Sequence, residues 1–281
     1  MKLTVGNRHL SLDTPVVMTI INVTPDSFFS GSRTRQVDAI ARRAEQAAEE
    51  GAALLDVGGY SSRPGALDVP PEEELSRVSL ALETIRRRLP QIPVSIDTFR
   101  AGVMEAVQER FGPCIVNDIT AAQADPRIAE VAARYDVPFI AMHMRGMPQN
   151  MQTMTRYDDL TGEILRYFDE RTAFLKQTGV RQIVLDPGFG FSKTTEQNFR
   201  LLHDLSRLAG TGYPVLAGIS RKSMIYKTLN TTPEDALTGT TALHWECLRQ
   251  GASILRVHDT REAVQVVALY RQFMTQNPHT P

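Results

Sequence analysis

The chain has 281 residues, with 31 Lys+Arg against 32 Asp+Glu, a formal net charge of -1 and 42% hydrophobic residues. So even a balance gives no global field to recruit nucleic acid or a membrane surface, so any anion site must be local. The length suits one core, no run of 18 apolar residues offers a membrane span, and Cys114 and Cys247 are too few for a disulfide framework. Together these features lead to the expectation of a single cytoplasmic domain over residues 1–281.

In chain order, residues 1–13 carry charges and a Gly6-Asn7 turn rather than a signal-peptide core, and read as a short N-terminal hairpin. Eight apolar runs of strand length follow: Val16 to Asn22, Ala53 to Val57, Val94 to Asp97, Ile115 to Asp118, Phe139 to His143, Ile183 to Asp186, Val215 to Ser220 and Ile254 to His258. None alternates strictly with polar residues, as expected of parallel strands covered on both faces. Seven stretches with helical spacing separate them. The clearest places Val78, Ala81, Leu82, Ile85 and Leu89 on one stripe, and an eighth, Ala263 to Phe273, follows the last strand. The residues from Thr275 to Pro281 form a polar tail expected to fray.

Eight strand and helix alternations predict a (β/α)8 TIM barrel over residues 14–274, with the hairpin closing its floor. An open doubly wound sheet is the competitor, but it does not require a polar group after every strand. In a barrel those polar ends converge on one mouth.

The segment from Asp186 to Thr194 contains Gly188 and Gly190 before Lys193, but it lacks the glycine spacing of a phosphate loop or of a dinucleotide fingerprint. It reads as a tight turn presenting Phe189 or Phe191 at the mouth. Six histidines show no zinc-type spacing, so no protein-built zinc site is expected.

Polar strand ends divide by charge. Asp97, Asn117 and Asp186 are acceptors, and buried carboxylates call for a donor-rich ligand edge such as a pterin or a purine. Hydrogen bonding to backbone amides alone is the plainer duty for each. Arg63, Arg221, Lys222, Arg256 and His258 are cationic and follow strands two, seven and eight, where barrels frequently bind phosphate. Arginine forks grip phosphate oxygens in pairs. A solvated surface charge is the ordinary reading of Arg100 and Arg145. The two charge sets are expected to occupy separate parts of one rim.

Six segments carry a resemblance. Ile21-Asn-Val-Thr-Pro-Asp-Ser-Phe28, Asp56-Val-Gly-Gly-Tyr-Ser-Ser-Arg-Pro-Gly65, Val94-Ser-Ile-Asp-Thr98, Leu185-Asp-Pro-Gly-Phe-Gly190, Ser220-Arg-Lys-Ser223 and Arg256-Val-His-Asp259 together resemble the dihydropteroate synthase family of pterin-binding barrels. The resemblance implies condensation of hydroxymethyl-dihydropterin diphosphate with p-aminobenzoate, with Mg²⁺ as cofactor, sulfonamides as inhibitors and a homodimer as the assembly. It makes Asn22 the metal and diphosphate contact, and Ser62 and Arg63 contacts to the diphosphate and the incoming amine. Asp97, Asn117 and Asp186 match pterin-binding positions, Lys222 the lysine reaching the pterin ring, and Arg256 with His258 the diphosphate pair. Asp97, Lys222, Arg256 and His258 are therefore the catalytic expectation. Pro25, Phe28, Phe189, Phe191 and Ser223 fall near the aminobenzoate pocket, with Arg221 beside them as a substrate contact.

Loss of diphosphate from a methylene on an electron-rich ring leaves a ring-stabilised cation, so separated charge must be stabilised and no strong general base is needed. The loops Thr24 to Thr34 and Ser61 to Pro70 are expected to be mobile until diphosphate binds, with p-aminobenzoate binding second. Tyr60 stands where the family often has Glu, Ser62 where it has Thr, and Ser192 and Thr19 where Gly is frequent. A corrinoid-dependent pterin methyltransferase would have no use for the cationic set. A non-catalytic paralogue would be expected to lose Asn22, Asp186 or the Arg-x-His pair.

Overall fold

The computed structural model describes residues 1–23, 33–60 and 68–276. Strands β1 (Lys2–Val5) and β2 (Arg8–Ser11) pair antiparallel across the Gly6-Asn7 turn. The barrel strands are β3 (Val16–Asn22), β4 (Leu54–Gly58), β5 (Val94–Asp97), β6 (Ile115–Asp118), β7 (Phe139–Met142), β8 (Ile183–Asp186), β9 (Leu216–Ala217) and β10 (Ile254–Val257). All eight pair in parallel in the order β8-β7-β6-β5-β4-β3-β10-β9, and a bridge from Leu185 to Val215 closes the ring. The chain therefore folds as a TIM barrel, as the alternation of apolar runs and helical stripes predicts.

Helices α1 (Arg33–Glu49), α2 (Pro71–Arg88), α3 (Ala101–Phe111), α4 (Arg127–Arg134), α5 (Leu160–Thr178), α6 (Thr195–His203), α7 (Leu205–Ala209), α8 (Ser223–Thr228), α9 (Leu237–Arg249) and α10 (Thr260–Thr275) fill the crossovers. On α2 the expected stripe of Val78, Ala81, Leu82 and Ile85 is fully buried against the strands. Two crossovers hold more than one helix each among the described residues, which the sequence pattern did not separate: α6 breaks at Asp204 before α7, and α8 precedes α9. Strand β9 is shorter than expected because the chain leaves the sheet at Gly218, while Val215 keeps only a bridge to Leu185.

Side chains two apart on a strand share a face. Met18, Leu54, Ile115, Ile140, Val184, Leu216 and Ile254 form the lowest inward layer, and Leu3, Val5, Leu10 and Leu12 of the hairpin pack beneath it. Each such buried side chain contributes about 1.5–3 kcal/mol relative to exposure. The hairpin is also pinned laterally: Thr4 N donates to Gln182 Oε1 (2.6 Å), and Gln182 Nε2 donates to Thr4 O (3.1 Å). The floor is therefore dry and sealed. No helix among the described residues is long and apolar enough to cross a membrane.

Candidate active site

Two residues further along, on four of the seven strands that form the floor, the inward layer changes character. Leu54 gives way to Asp56, Ile115 to Asn117, Val184 to Asp186 and Ile254 to Arg256. A buried carboxylate or guanidinium is stable only when paired and hydrogen-bonded, and Asp56, Asn117 and Arg256 supply one another. Asp56, fully buried, accepts from Ser95 Oγ, from Asn117 Nδ2 at 3.1 and 3.2 Å, and from Arg256 Nε at 2.7 Å. Arg256 Nη2 donates onward to Asp97 Oδ2 at 2.9 Å.

Burial alone would lower the Arg256 pKa, but Asp56 and Asp97 reverse this and hold the guanidinium firmly protonated. Burial pushes Asp97 up to about 7 against the pull of Arg256, with Asp56 and Glu74 adding to the rise. On the opposite wall, burial also raises Asp186, while Lys222 and a hydrogen bond from Gly188 N (2.8 Å) act against it. Burial brings Lys222 down to about 8, with Asp186 opposing. Its Nζ donates to Phe189 O and lies 4.8 Å from the centre of the Phe191 ring.

At the upper rim, Asn22 ends β3 beside Gly58. A Cβ placed on Gly58 would lie 3.6 Å from Asn22 Oδ1 and 3.7 Å from Asp97 Oδ2, so the missing side chain leaves both oxygens facing one space. Ser220 Oγ lies 3.1 Å from both the backbone N and Nδ1 of His258, which fixes the ring beside β10. Ser223 opens α8 next to Lys222.

Several expectations need correction. Phe189 is fully buried in the main core, so it presents its carbonyl to Lys222 rather than its ring to the mouth; only Phe191 remains on that side. Arg221 is no anion grip. Its Nε and Nη2 hold Asp259 at 2.8 Å each, and Nη1 donates to Pro233 O (2.8 Å) and Glu234 O (2.5 Å), so the protein engages four of the five N–H groups. The charge sets converge on one mouth but do not occupy separate parts of it, because Arg256 sits between two carboxylates. Nor are Arg100 and Arg145 solvated charges: Arg100 pairs with Glu74 (2.5 Å) against the Tyr60 and Phe99 rings, and Arg145 pairs with Glu163 over the Tyr157 ring. Pro25, Phe28, Ser62 and Arg63, with most of the two loops expected to be mobile, lie outside the described residues, as does most of the polar tail.

The departures Tyr60 and Ser192 find local explanations. Tyr60 Oη accepts from Gln149 Nε2 at 3.0 Å, and its ring meets Phe99 edge-on at 5.2 Å, so a hydrogen bond ties the end of β4 to the loop after β7 and aromatic packing ties it to the segment after β5. Ser192 adopts a φ of 52°, where glycine is at ease, and offsets the strain by bonding Arg145 N and O through Oγ at 2.8 Å each. Sequence reading missed Asp56, Asp118, His143 and Lys193. The signal for Asp56 was present, since a carboxylate inside Leu54-Leu55-Asp56-Val57 must find a buried cation. Asp118 accepts from Thr120 N (2.7 Å) and Ala122 N (2.6 Å) and so shapes the turn after β6, although burial pushes it up to about 6.

The fold and this mouth define a barrel enzyme built to hold a nitrogen-rich heterocycle beside an anion. The chain belongs to the pterin-binding enzyme family, which matches residues 18–258. Its relatives include the dihydropteroate synthases of Synechocystis sp., 42% identical over 89% of this chain and 87% of the relative, and of Escherichia coli K12, 40% identical over 95% and 94%. Among solved structures, the Yersinia pestis dihydropteroate synthase with a sulfonamide drug complex superposes with a TM-score of 0.91 at 38% identity, covering 98% of this chain and all of that one. The Xanthomonas albilineans enzyme with 4-aminobenzoic acid gives 0.90 at 38% identity, covering 100% and 99%.

Proposed function

We propose that this chain acts as a dihydropteroate synthase, a transferase of folate biosynthesis that joins hydroxymethyl-dihydropterin diphosphate to p-aminobenzoate with release of diphosphate. The observation that carries the reading is the layer of Asp56, Asn117, Asp186 and Arg256 one step above a sealed apolar floor, within a chain that matches the family over its whole barrel. Asp97, Asn117 and Asp186 accept from the amino and ring N–H groups of the pterin. Lys222, held by the Phe189 carbonyl, donates to a ring acceptor.

The C–O bond between the methylene and diphosphate breaks with its electron pair leaving on oxygen. Arg256 and His258 face that growing negative charge, while Asp97 and Asp186 favour positive charge on the ring. The amine lone pair then forms the C–N bond and its proton passes to water. Arg256 must trade part of its carboxylate pairing for phosphate oxygens, so binding the first substrate reorganises the mouth. Ser62, Arg63, Pro25, Phe28, Phe191 and Ser223 complete the amine side of this proposal.

Mg²⁺ fits the donor set. No group of three His, Cys, Asp or Glu among the described residues could cage a metal, yet Mg²⁺ commonly takes one or two protein oxygens and completes its shell with phosphate and water. Asn22 Oδ1 would hold it against the diphosphate, where it neutralises part of the leaving charge.

The reading extends to one cytoplasmic domain working as a homodimer. The occupant of the exposed α9–α10 face is then a second copy: Trp245 packs edge-on with Tyr270 and Phe273, beside Leu269 at 66% exposure. Formation of dihydropteroate by the purified chain should require both substrates and Mg²⁺; absence of the coupled product when all three are present would refute the proposal. Calorimetry should show p-aminobenzoate binding only after pterin diphosphate, and tight binding to the empty enzyme would refute that order.

A further inference from the structure

The turn after β8 contains a buried amine for which the reaction has no use. Lys193 is 4% exposed and its Nζ is a three-way junction: it donates to Gly188 O and Phe191 O, both at 2.9 Å, and shares a 3.1 Å bond with His143 Nδ1. His143, 2% exposed at the end of β7, donates its backbone N–H to Asp186 O at 2.9 Å and sets its ring edge-on against Tyr167 at 4.8 Å. The turn lies hard against this residue. Gly188 has a φ of 70°, and a Cβ there would come within 2.0 Å of His143 O, so no side chain fits.

The consequence reaches the mouth through short links. Gly188 N holds Asp186 Oδ1 at 2.8 Å, Phe189 O receives Lys222 Nζ, and the Phe191 ring lies beneath that same ammonium. Lys193 grips the carbonyls on either side of this stretch, those of residues 188 and 191. We propose that Lys193, anchored by His143, is a positioning residue for the reaction: it sets the curvature of the 186–193 turn and thereby places Asp186 and Lys222 against the pterin. Neither residue touches substrate in this arrangement, which rests on the pterin-binding roles proposed above for Asp186 and Lys222.

The test compares Lys193→Met, which keeps length but removes the donors, with His143→Leu and His143→Asn. Asn retains an acceptor near the place of Nδ1, whereas Leu does not. For Lys193→Met and His143→Leu, the KM for pterin diphosphate should rise about tenfold, the loss of one charge-assisted contact, while that for p-aminobenzoate stays within about twofold of wild type. In His143→Leu the alkaline limb of kcat/KM should move to lower pH as Lys222, still faced by Asp186, Arg256 and Asp97, loses the Phe189 carbonyl, a hydrogen bond that favours its charged form. His143→Asn should restore wild-type constants, and the two His143 variants carry the test if Lys193→Met does not fold. Variants that lose thermal stability yet keep the wild-type KM and pH limb would show a merely structural junction and overturn the inference, as would His143→Asn behaving like His143→Leu. A wild type that fails to condense the substrates defeats the functional reading instead; a working wild type with unaffected variants defeats only this one.

Discussion

The floor and the mouth of this barrel are built from the same strands two residues apart, yet they solve opposite problems. At the floor, Leu54, Ile115, Val184 and Ile254 meet an apolar hairpin and need no partner beyond dispersion and exclusion of water. At the mouth, Asp56, Asn117 and Arg256 survive by pairing with one another, and Asp186 accepts from Gly188 N in the turn that follows it. Stability at the floor comes from sameness among neighbours; at the mouth it comes from opposition, and Asp56, Asn117 and Arg256 each depend on a residue far away in sequence. The lesson is that the two layers are stabilised separately, the floor by apolar packing and the mouth by its own ion pairs and hydrogen bonds.

Breaking the mouth should be the more damaging act. Asp56→Ala leaves Arg256 half-compensated in a buried site and should lower unfolding free energy by about 3–5 kcal/mol, together with a loss of turnover; an unchanged urea midpoint would show that the network is dispensable. Breaking the floor separates the two effects. Ile140→Ala should cost about 2–5 kcal/mol of stability while kcat and both KM values of the folded fraction stay at wild type, and altered kinetics would mean that the floor is not mechanically independent.

The comparison sharpens with pH, to which an apolar floor is indifferent. Because Lys222 lies near 8 when folded, below its ordinary 10.5, its buried charge disfavours the folded state at low pH, and that cost is relieved as pH rises from about 8 towards the unfolded value. Activity should run the other way, kcat/KM falling about tenfold per pH unit above 8 as the ammonium is lost. Lys222→Arg should abolish this limb, and persistence of the limb would assign it to another group. Smallest is Tyr60→Phe, which removes the bond from Gln149 and should cost about 0.5–1.5 kcal/mol by thermal unfolding; no change would leave the ring's contacts with Phe99 and Arg100 as the contribution of that side chain.

Strand existence and order were legible because parallel strands covered on both faces read as continuous apolar runs. The same continuity hid which residues point inward: with Leu on either side, nothing in Leu54-Leu55 sets the parity until Asp56 is recognised as a buried charge needing a partner. Arg256 is that partner, some 200 positions away. Asp97, Asn117, Asp186, Lys222 and Arg256 stood out because each ends or follows a strand. The roles of Arg221 and Lys193 were not legible, since each depends on a tertiary neighbour: Asp259, 38 positions from Arg221, neutralises one guanidinium, and His143, 50 positions from Lys193, anchors the turn. Phe189 and Phe191 differ only in which way the turn throws them, a matter of backbone geometry that composition does not carry.

The hairpin beneath the barrel makes the chamber a cul-de-sac. A heterocycle seated just above the plug cannot escape downward, so it leaves by the mouth through which it came. The coupled product has to back out along the path by which its deeper half arrived, and a vestibule of this kind ties turnover to clearing the entrance as much as to bond making.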